Sequence, residues 1–363
     1  MATIHMVRSV KGGSGKTAFA LRKVIELAKD TDNNDEFINN VLFLDADVHA
    51  SETYTMMYNR MRKEDSWAIG KECYFIDFFN GETMEEAAGQ KNDKESHFLN
   101  TYIHPYKGFY SKLEEVMDVA QLKIVKEHMG NAEFAKPPKN VSGDIKFIFS
   151  DPSEDGRDVF GNIFQSSGRS AVGVGTYVAK MKNLLGYVLD KGSNFTDIVV
   201  DMPPGSDTFS EHLANLLIEM AGAEHSLNIY YVTNNDRGHM ISSVNAATAH
   251  LHQMKSAFIN EIWLVCNRGR ENSEGTDIFN VEKRDEIIER LISVFHPGAK
   301  PDAIELKQKK YELERLKYVY FNRDEDYYKS HRFTRLDHSG KLMIDTASVF
   351  FDSQTAGLLS IIE

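Results

Sequence analysis

The sequence is poor in the residues that mark several large classes of protein. It has 2 cysteines and 8 prolines in 363 residues, and its formal net charge is −12. Cys73 and Cys266 are far apart in the chain, so they form no disulfide framework, CxxC metal clip or Fe–S site within one chain. The acidic balance excludes a uniformly basic protein, and any contact with nucleic acid needs a local basic patch.

Long apolar runs are also lacking. No stretch approaches the roughly 20 apolar residues of a membrane span, and the N-terminal sequence MATIHMVRSVKGG lacks the pattern of a signal peptide. The C-terminal sequence TAGLLSIIE is short and acidic, without the basic amphipathic pattern of a peripheral anchor. The small number of cysteines predicts a cytoplasmic protein. Because neither anchoring pattern is present, we also expect no stable membrane anchor.

Short apolar runs alternate with helical patterns along most of the chain. This alternation predicts an α/β fold, with a doubly wound, mostly parallel sheet flanked by helices. The runs VLFLD and DIVVD are apolar nearly throughout, as expected of strands covered on both faces. The predicted strands are 4–10, 41–45, 146–150, 197–201, 229–233 and 262–267, and the predicted helices include 16–28 and 177–189.

Two stretches interrupt the alternation. Residues 91–143 are polar and rich in aromatic side chains, and we interpret them as an inserted helical subdomain. Residues 301–341 are dense in charge and tyrosine, and we interpret them as an extended, charged C-terminal segment. We predict that 1–363 form a single domain carrying both additions. The aromatic residues of the insertion either form a docking face for a partner or fill its own small core.

One glycine-rich motif carries most of the functional information. Residues 11–17 read KGGSGKT, directly after a predicted strand and at the start of a predicted helix. In that context the backbone N–H groups form a phosphate nest, the lysine reaches the β- and γ-phosphates, and the threonine hydroxyl ligates Mg²⁺. A plain glycine turn is the alternative. The predicted nucleotide-binding residues are Gly12, Gly13, Ser14, Gly15, Lys16 and Thr17, with Lys16 also catalytic.

The motif resembles the deviant phosphate-binding loop, KGGxGKT, of the ParA/MinD group of P-loop ATPases. Val10 stands where the ordinary motif has glycine, and Lys11 is the additional lysine. In that group the additional lysine contacts the partner's phosphates across a nucleotide-sandwich dimer, and the resemblance implies this catalytic role for Lys11. It also implies a P-loop NTPase fold, ATP and Mg²⁺ as cofactors, and an ATP-dependent homodimer. A solvated lysine beside the loop is the alternative.

Two aspartate-containing segments are similar to other motifs of the same family. VLFLDADVHAS resembles the strand and switch I, which implies that Asp47 orients the attacking water and that Asp45 lies near Mg²⁺. DIVVDMPPGSD resembles Walker B and switch II, which implies that Asp201 holds Mg²⁺ through water and that the Gly205 N–H meets the γ-phosphate. The alternatives are capping or turn aspartates and a rigid proline turn.

The run VCNRGR resembles the family's strand end that contacts adenine, which implies base recognition by Asn267. An asparagine in a strand-end turn is the alternative. The resemblance covers roughly 1–90 and 145–270, so the insertion and the last part of the chain have no clear counterpart.

Two functions fit these motifs. The first is a ParA-like ATPase, slow and stimulated by a protein activator or cargo adaptor, that partitions DNA or positions cargo. The alternative is an ATP-dependent switch that docks a protein partner in secretion, conjugation or envelope assembly. Non-specific DNA would bind a basic cluster, which is otherwise a solvated helix face diluted by acidic residues. The cluster comprises Lys307, Lys309, Lys310, Arg315 and Lys317, with Arg332 and Arg335 farther on.

Overall fold

The structure is a computed structural model, and contacts divide it into two compact units. The first comprises Met1–Ala20, Met181–Arg323 and Gly357–Glu363, and the second comprises Leu21–Lys180 and Asp324–Ala356. The structure describes residues 2–28, 39–47, 104–105, 144–148, 179, 181–186, 188–189, 194–205, 208–222, 224–253, 258–268, 279, 283–297, 304–322, 333–336, 342–345 and 359–362.

Strands and helices alternate along the described residues. The strands are β1 (Thr3–Arg8), β2 (Asn40–Asp45), β3 (His104–Pro105), β4 (Asp144–Ile148), β5 (Asp197–Asp201), β6 (Ser226–Thr233), β7 (Ile259–Arg268), β8 (Lys317–Asn322), β9 (Phe333–Leu336), β10 (Leu342–Asp345) and β11 (Leu359–Ile362). The helices are α1 (Lys16–Ala28), α2 (Thr208–Ala221), α3 (Arg237–Gln253), α4 (Arg284–Phe295) and α5 (Ile304–Glu314). Residues 181–186 and 188–189 are also helical.

The first unit is built on a mostly parallel sheet. Among its described residues, six strands lie in the order β11-β8-β7-β6-β1-β5. β1 pairs in parallel with both β5 and β6, so that Val7 lies opposite Asp201 on one side and Tyr230 on the other. β7 and β8 extend the parallel set, and β11 pairs antiparallel with β8. The predicted mostly parallel α/β fold is confirmed.

Burial explains why these segments form the centre of the sheet. Every residue of β5 is buried, and so is all of β6 after its first residue. Helix α2 packs on β1 and β6, and α3 packs on β6 and β7, so that apolar strands are covered as parallel sheets require. Gly222 follows α2 with φ +47°, a left-handed conformation that ends helices and that glycine adopts without strain.

The second unit contains a smaller parallel pair. β2 and β4 pair in parallel from Asn40–Asp144 to Leu44–Ile148, and β3 pairs antiparallel with β4. Phe43 and Phe147 pack against each other between these strands, with ring centroids 5.6 Å apart. β9 and β10 form a separate antiparallel pair.

Several predicted boundaries differ from the observed ones. β1 ends at Arg8 rather than at residue 10, because the chain turns there into the glycine loop. β4 lies two residues earlier than predicted, at Asp144–Ile148. The predicted insertion at 91–143 lies outside the described residues apart from β3, so the domain division stays a prediction. The helices of the described residues include none with the length and apolar content needed to cross a bilayer.

Candidate functional site

The loop between β1 and α1, residues 9–15, is shaped by its glycines. Gly13 and Gly15 have φ +76° and +87°, which side-chain-bearing residues rarely adopt. A methyl group placed on Gly12 or Gly13 would find no atom within 4 Å, so the loop borders open space. The carbonyl of Gly15 accepts the backbone N–H of Phe19 at 3.0 Å, so α1 starts directly from the loop. A glycine loop at a helix N-terminus is an arrangement that binds phosphate. We call residues 9–15 the phosphate loop.

A buried ion pair lies next to the phosphate loop. Lys16 opens α1 and Asp201 ends β5, and Lys16 Nζ donates to Asp201 Oδ1 at 2.5 Å. The exposed fractions of the two side chains are 6% and 1%. Burying two charges costs several kcal/mol per ion, roughly, so each charge needs an opposite partner at close range. The structure therefore brings together two residues that the sequence analysis assigned to phosphate and to Mg²⁺.

The Pro-Pro-Gly segment, residues 202–205, runs beside the phosphate loop. The N–H of Met202 donates to the Val7 carbonyl at 3.0 Å, and the N–H of Gly205 donates to the Ser9 carbonyl at 2.9 Å. Gly205 has φ +105°, a conformation open mainly to glycine. The N–H that the resemblance assigns to the γ-phosphate is thus bound to the phosphate loop itself.

Asn267 reaches the phosphate loop from the end of β7. Its Nδ2 donates to the Ser14 carbonyl at 2.7 Å. The Ser14 Oγ is buried and has no hydrogen-bond partner among the described residues. Asn267 therefore braces the loop, and its recognition of a base stays a prediction.

Lys11 is exposed and lies beside the loop that follows β6. Its Nζ is 2.7 Å from the position that a Cβ on Gly238 would occupy, and Asp236 Oδ1 is 3.2 Å from the same point. The Asp236 carboxylate accepts the backbone N–H of His239 at 2.9 Å. This hydrogen bond lowers the pKa of Asp236, and the Lys11 charge acts in the same direction. The trans role of Lys11 stays a prediction.

Asp45 and Asp47 belong to the second unit. Both are buried, with exposed fractions of 0% and 5%. The Asp47 N–H donates to Asp45 Oδ1 at 3.1 Å, so a turn at the end of β2 holds the two residues close together. Their roles with water and Mg²⁺ stay predictions, as does the role of Thr17 in α1.

Three residues of the predicted basic cluster pair with carboxylates of the first unit, and Arg332 lies outside the described residues. Lys309 also donates to Asn245 Oδ1, and the Arg315 guanidinium lies over the ring of Tyr311. Lys307 is exposed on α5, so carboxylates neutralise only part of the cluster in the described residues. The lysine–carboxylate pairs are Lys309 with Glu312, Lys310 with Glu314, and Lys317 with Glu261.

A buried arginine that was not predicted from the sequence lies directly before the phosphate loop. Arg8 Nη2 donates to Glu211 Oε1 at 2.5 Å, and Nη1 donates to the Tyr231 hydroxyl at 3.4 Å. The Tyr231 hydroxyl is also hydrogen-bonded to His250 Nδ1. Burial raises the pKa of Tyr231 to about 12 and lowers the pKa of His250, so both are neutral near pH 7. The only local signal was a charge at the end of the apolar run TIHMVR.

Neither a protein-family model nor a curated protein sequence matches this chain. Solved structures similar to it include the cell division ATPase MinD of Pyrococcus furiosus, with 14% identity, 87% of this chain and 98% of that one covered, and a TM-score of 0.39. A putative plasmid partition protein of Borrelia burgdorferi bound to AMPPNP is 14% identical, with 86% of this chain and 98% of that one covered and a TM-score of 0.42. A ParA family ATPase of Chlorobium tepidum is 14% identical, with 90% of this chain and 86% of that one covered and a TM-score of 0.39. These proteins are of the group that the motifs resemble, and the roles of residues here rest on the geometry of this chain.

Proposed function

We propose that this chain is a ParA-like ATPase that binds Mg-ATP, dimerises in the ATP state and hydrolyses ATP slowly to partition DNA or position cargo. The observation that supports this most is the buried pair of Lys16 and Asp201 next to a glycine loop. A lysine at a helix N-terminus and a carboxylate at a strand end are the two charges that a phosphate group and a magnesium ion take as partners.

The residues around the phosphate loop fit this ligand. The loop borders open space at Gly12 and Gly13, and the buried Ser14 Oγ lacks a partner among the described residues. Bound Mg²⁺ would neutralise the negative charge that develops on the phosphates. In the proposal, Thr17, Asp45 and Asp201 hold this ion, directly or through water.

Nucleotide binding then requires two exchanges of partner within the first unit. Lys16 leaves Asp201 for the β- and γ-phosphates. The Gly205 N–H leaves the Ser9 carbonyl for the γ-phosphate, which moves the Pro-Pro-Gly segment. Asp47 orients the attacking water. The Gly205–Ser9 hydrogen bond supports this proposal, because it puts the Gly205 N–H beside the phosphate loop.

Asn267 gives a reason for adenine to be preferred. One of the two Nδ2 hydrogens donates to the Ser14 carbonyl, which leaves Oδ1 as an acceptor and the second hydrogen as a donor. An asparagine can pair through these two groups with the N6 amino group and N7 of adenine, whereas guanine presents two acceptors on the same edge. We therefore propose ATP rather than GTP as the nucleotide.

The cargo can be DNA or protein, and one observation favours protein. Two of the three lysines of α5 are paired with carboxylates, Lys309 with Glu312 and Lys310 with Glu314, and Lys317 of β8 is paired with Glu261. Since paired charges release few counterions on binding, they contribute little to DNA affinity. The second candidate function is therefore a switch that docks a protein partner, in secretion, conjugation or envelope assembly, through residues 91–143.

The mass of the protein in solution tests the proposal. We expect the wild-type chain to be monomeric with Mg-ADP and dimeric with Mg-ATP, measured by light scattering or mass photometry. Lys16→Ala should lose nucleotide binding and hence the dimer. Lys11→Ala should bind ATP as a monomer and lose both dimer and turnover. Lys307→Ala, an exposed lysine of α5, is the matched control and should behave as wild type.

Three results would contradict parts of this proposal. A wild-type chain that binds no adenine nucleotide contradicts all of it, and normal ATP hydrolysis by Lys11→Ala contradicts the trans role. Asp47→Ala should accumulate the ATP-bound dimer, so unchanged turnover contradicts the role of that carboxylate. If the trapped dimer shifts no DNA at low salt, the cargo is not DNA.

A further inference from the structure

We propose that Arg8 is a positioning residue that ties α2 to the phosphate loop and thereby controls how the Pro-Pro-Gly segment responds to nucleotide. This inference rests on the proposed function, because the segment has a response only if the site binds nucleotide. Arg8 contacts neither the nucleotide nor the reacting atoms in this proposal; it acts through Glu211.

The contacts of Arg8 join four elements of the first unit. Arg8 is the last residue of β1, and Glu211 lies in the first turn of α2. Tyr231 belongs to β6 and His250 to α3, and their hydrogen bond continues the chain of contacts that starts at Glu211. The Arg8 guanidinium also lies over the Tyr231 ring, 5.7 Å from its centroid. The arginine is therefore fixed from two directions.

Because the Arg8 side chain is buried, its charge depends on the partners that surround it. The exposed fraction of the Arg8 side chain is 5%, and that of Glu211 is 45%. A buried guanidinium needs both its charge and its N–H groups satisfied, and Glu211 forms the only ion pair of Arg8 among the described residues. Lysine carries a single ammonium group and cannot reproduce the planar fork that holds Glu211 and Tyr231 together.

The position of Arg8 connects this cluster to the Pro-Pro-Gly segment. Arg8 immediately precedes Ser9, whose carbonyl accepts the Gly205 N–H at 2.9 Å. On the far side of the segment, α2 begins at Thr208 and is held through Glu211. At the start of the segment, the Met202 N–H donates to the Val7 carbonyl at 3.0 Å, so residues 7–9 hold both the start of the segment and the helix that follows it. When Gly205 moves, an anchored α2 confines the movement to the few residues between these attachments.

The same helix provides a matched control. Glu219 lies near the C-terminal end of α2 and pairs with Lys182 at 2.7 Å, with exposed fractions of 65% and 52%. Glu219→Gln removes a carboxylate charge from α2 as Glu211→Gln does, but away from Arg8 and from the Pro-Pro-Gly segment. Because Glu211 is itself partly exposed, Glu211→Gln should leave the chain folded.

The experiment compares wild type, Glu211→Gln, Glu219→Gln and Arg8→Lys. The first measurement is hydrogen exchange of the Gly205 amide in the nucleotide-free protein. The second is the affinity ratio of ATPγS to ADP, with kcat and KM for ATP. We expect Glu211→Gln and Arg8→Lys to exchange the Gly205 amide about fivefold to tenfold faster and to change the affinity ratio and kcat by a similar factor, with ADP affinity kept. Glu219→Gln should stay within about twofold of wild type.

Each outcome has a defined consequence. If Glu211→Gln matches Glu219→Gln in Gly205 exchange and in the affinity ratio, while the wild type binds ATP, this inference fails and the proposed function stands. If the variants lose stability uniformly without a change in the ratio or in kcat, Arg8 is only a structural residue and the inference also fails. If the wild type binds no nucleotide, both proposals fail.

Discussion

Two regions of the first unit pair lysine with carboxylate, and they do so in opposite surroundings. Lys16 and Asp201 are almost completely buried next to the phosphate loop, with exposed fractions of 6% and 1%. Lys310 and Glu314 on α5 are about half exposed, at 53% and 48%. By charge alone α5 is the more conspicuous segment of the sequence. The structure shows that burial distinguishes the two regions better than the number of charges.

The difference follows from solvation. A charge on α5 keeps most of its water. Its ion pair therefore changes the free energy of that charge little, and the pair can open at almost no cost. A charge next to the phosphate loop has lost its water, so it must stay paired, either with the other residue or with a ligand of matching charge. The buried pair next to the phosphate loop is suited to exchanging partners with a charged ligand, and the exposed pair on α5 is suited to keeping the surface soluble.

The largest expected effect comes from breaking the buried pair. Asp201→Ala removes the carboxylate that neutralises Lys16 Nζ, and we expect the nucleotide-free protein to lose about 3 to 5 kcal/mol of unfolding free energy. Glu314→Ala, at the exposed pair, should cost less than about 1 kcal/mol. Denaturant unfolding followed by circular dichroism measures both.

A double variant separates charge from packing. Lys16→Met with Asp201→Leu leaves neither charge in place, so it should recover most of the stability that Asp201→Ala loses. Equal losses from Asp201→Ala and Glu314→Ala would show that the two regions do not differ in the way described.

The second effect concerns the backbone of the phosphate loop. Gly13 has φ +76°, whereas Gly12 lies outside the left-handed region, and a methyl group on either meets no atom within 4 Å. Gly13→Ala should therefore cost about 1 to 2 kcal/mol of nucleotide-free stability through backbone strain alone. Gly12→Ala should leave that stability near wild type, which thermal unfolding can measure. Similar losses in both variants would mean that space, and not φ, restricts the loop.

The sequence predicted the features that depend on neighbouring residues. The glycine loop, the apolar strand DIVVD and the start of α1 at Lys16 are all local patterns, and the structure has each of them. The parallel sheet followed from the alternation of such segments. The motifs assigned Lys16 and Asp201 to one site, so their proximity could be predicted from the sequence, although their ion pair was not.

The partners that come from distant parts of the chain were not predictable. Glu211 is 203 positions from Arg8, and Asn267 is 253 positions from Ser14. Nothing in the local sequence selects these partners, because the register of β1 between β5 and β6 and the packing of α2 bring them together. The same holds for Lys317, whose carboxylate partner Glu261 lies on the neighbouring strand β7.

The smallest effect contrasts a buried with an exposed histidine on α3. Burial lowers the pKa of His250, which faces Tyr231, Arg8 and Glu211, so the unfolded chain binds a proton at this residue more readily than the folded one. The contribution of His250 to the unfolding free energy is therefore fully present above the histidine pKa of the unfolded chain, about 6.5, and is lost as the pH drops through that value. We expect His250→Gln to flatten this pH dependence between pH 7.5 and 5.5, roughly the range over which histidine titrates. His252→Gln, two positions on and exposed, is the control for loss of a histidine from the same helix, and the slopes of the two variants are compared by denaturant unfolding across that range. An unchanged slope in His250→Gln would mean that the buried cluster around Arg8 carries no such proton linkage.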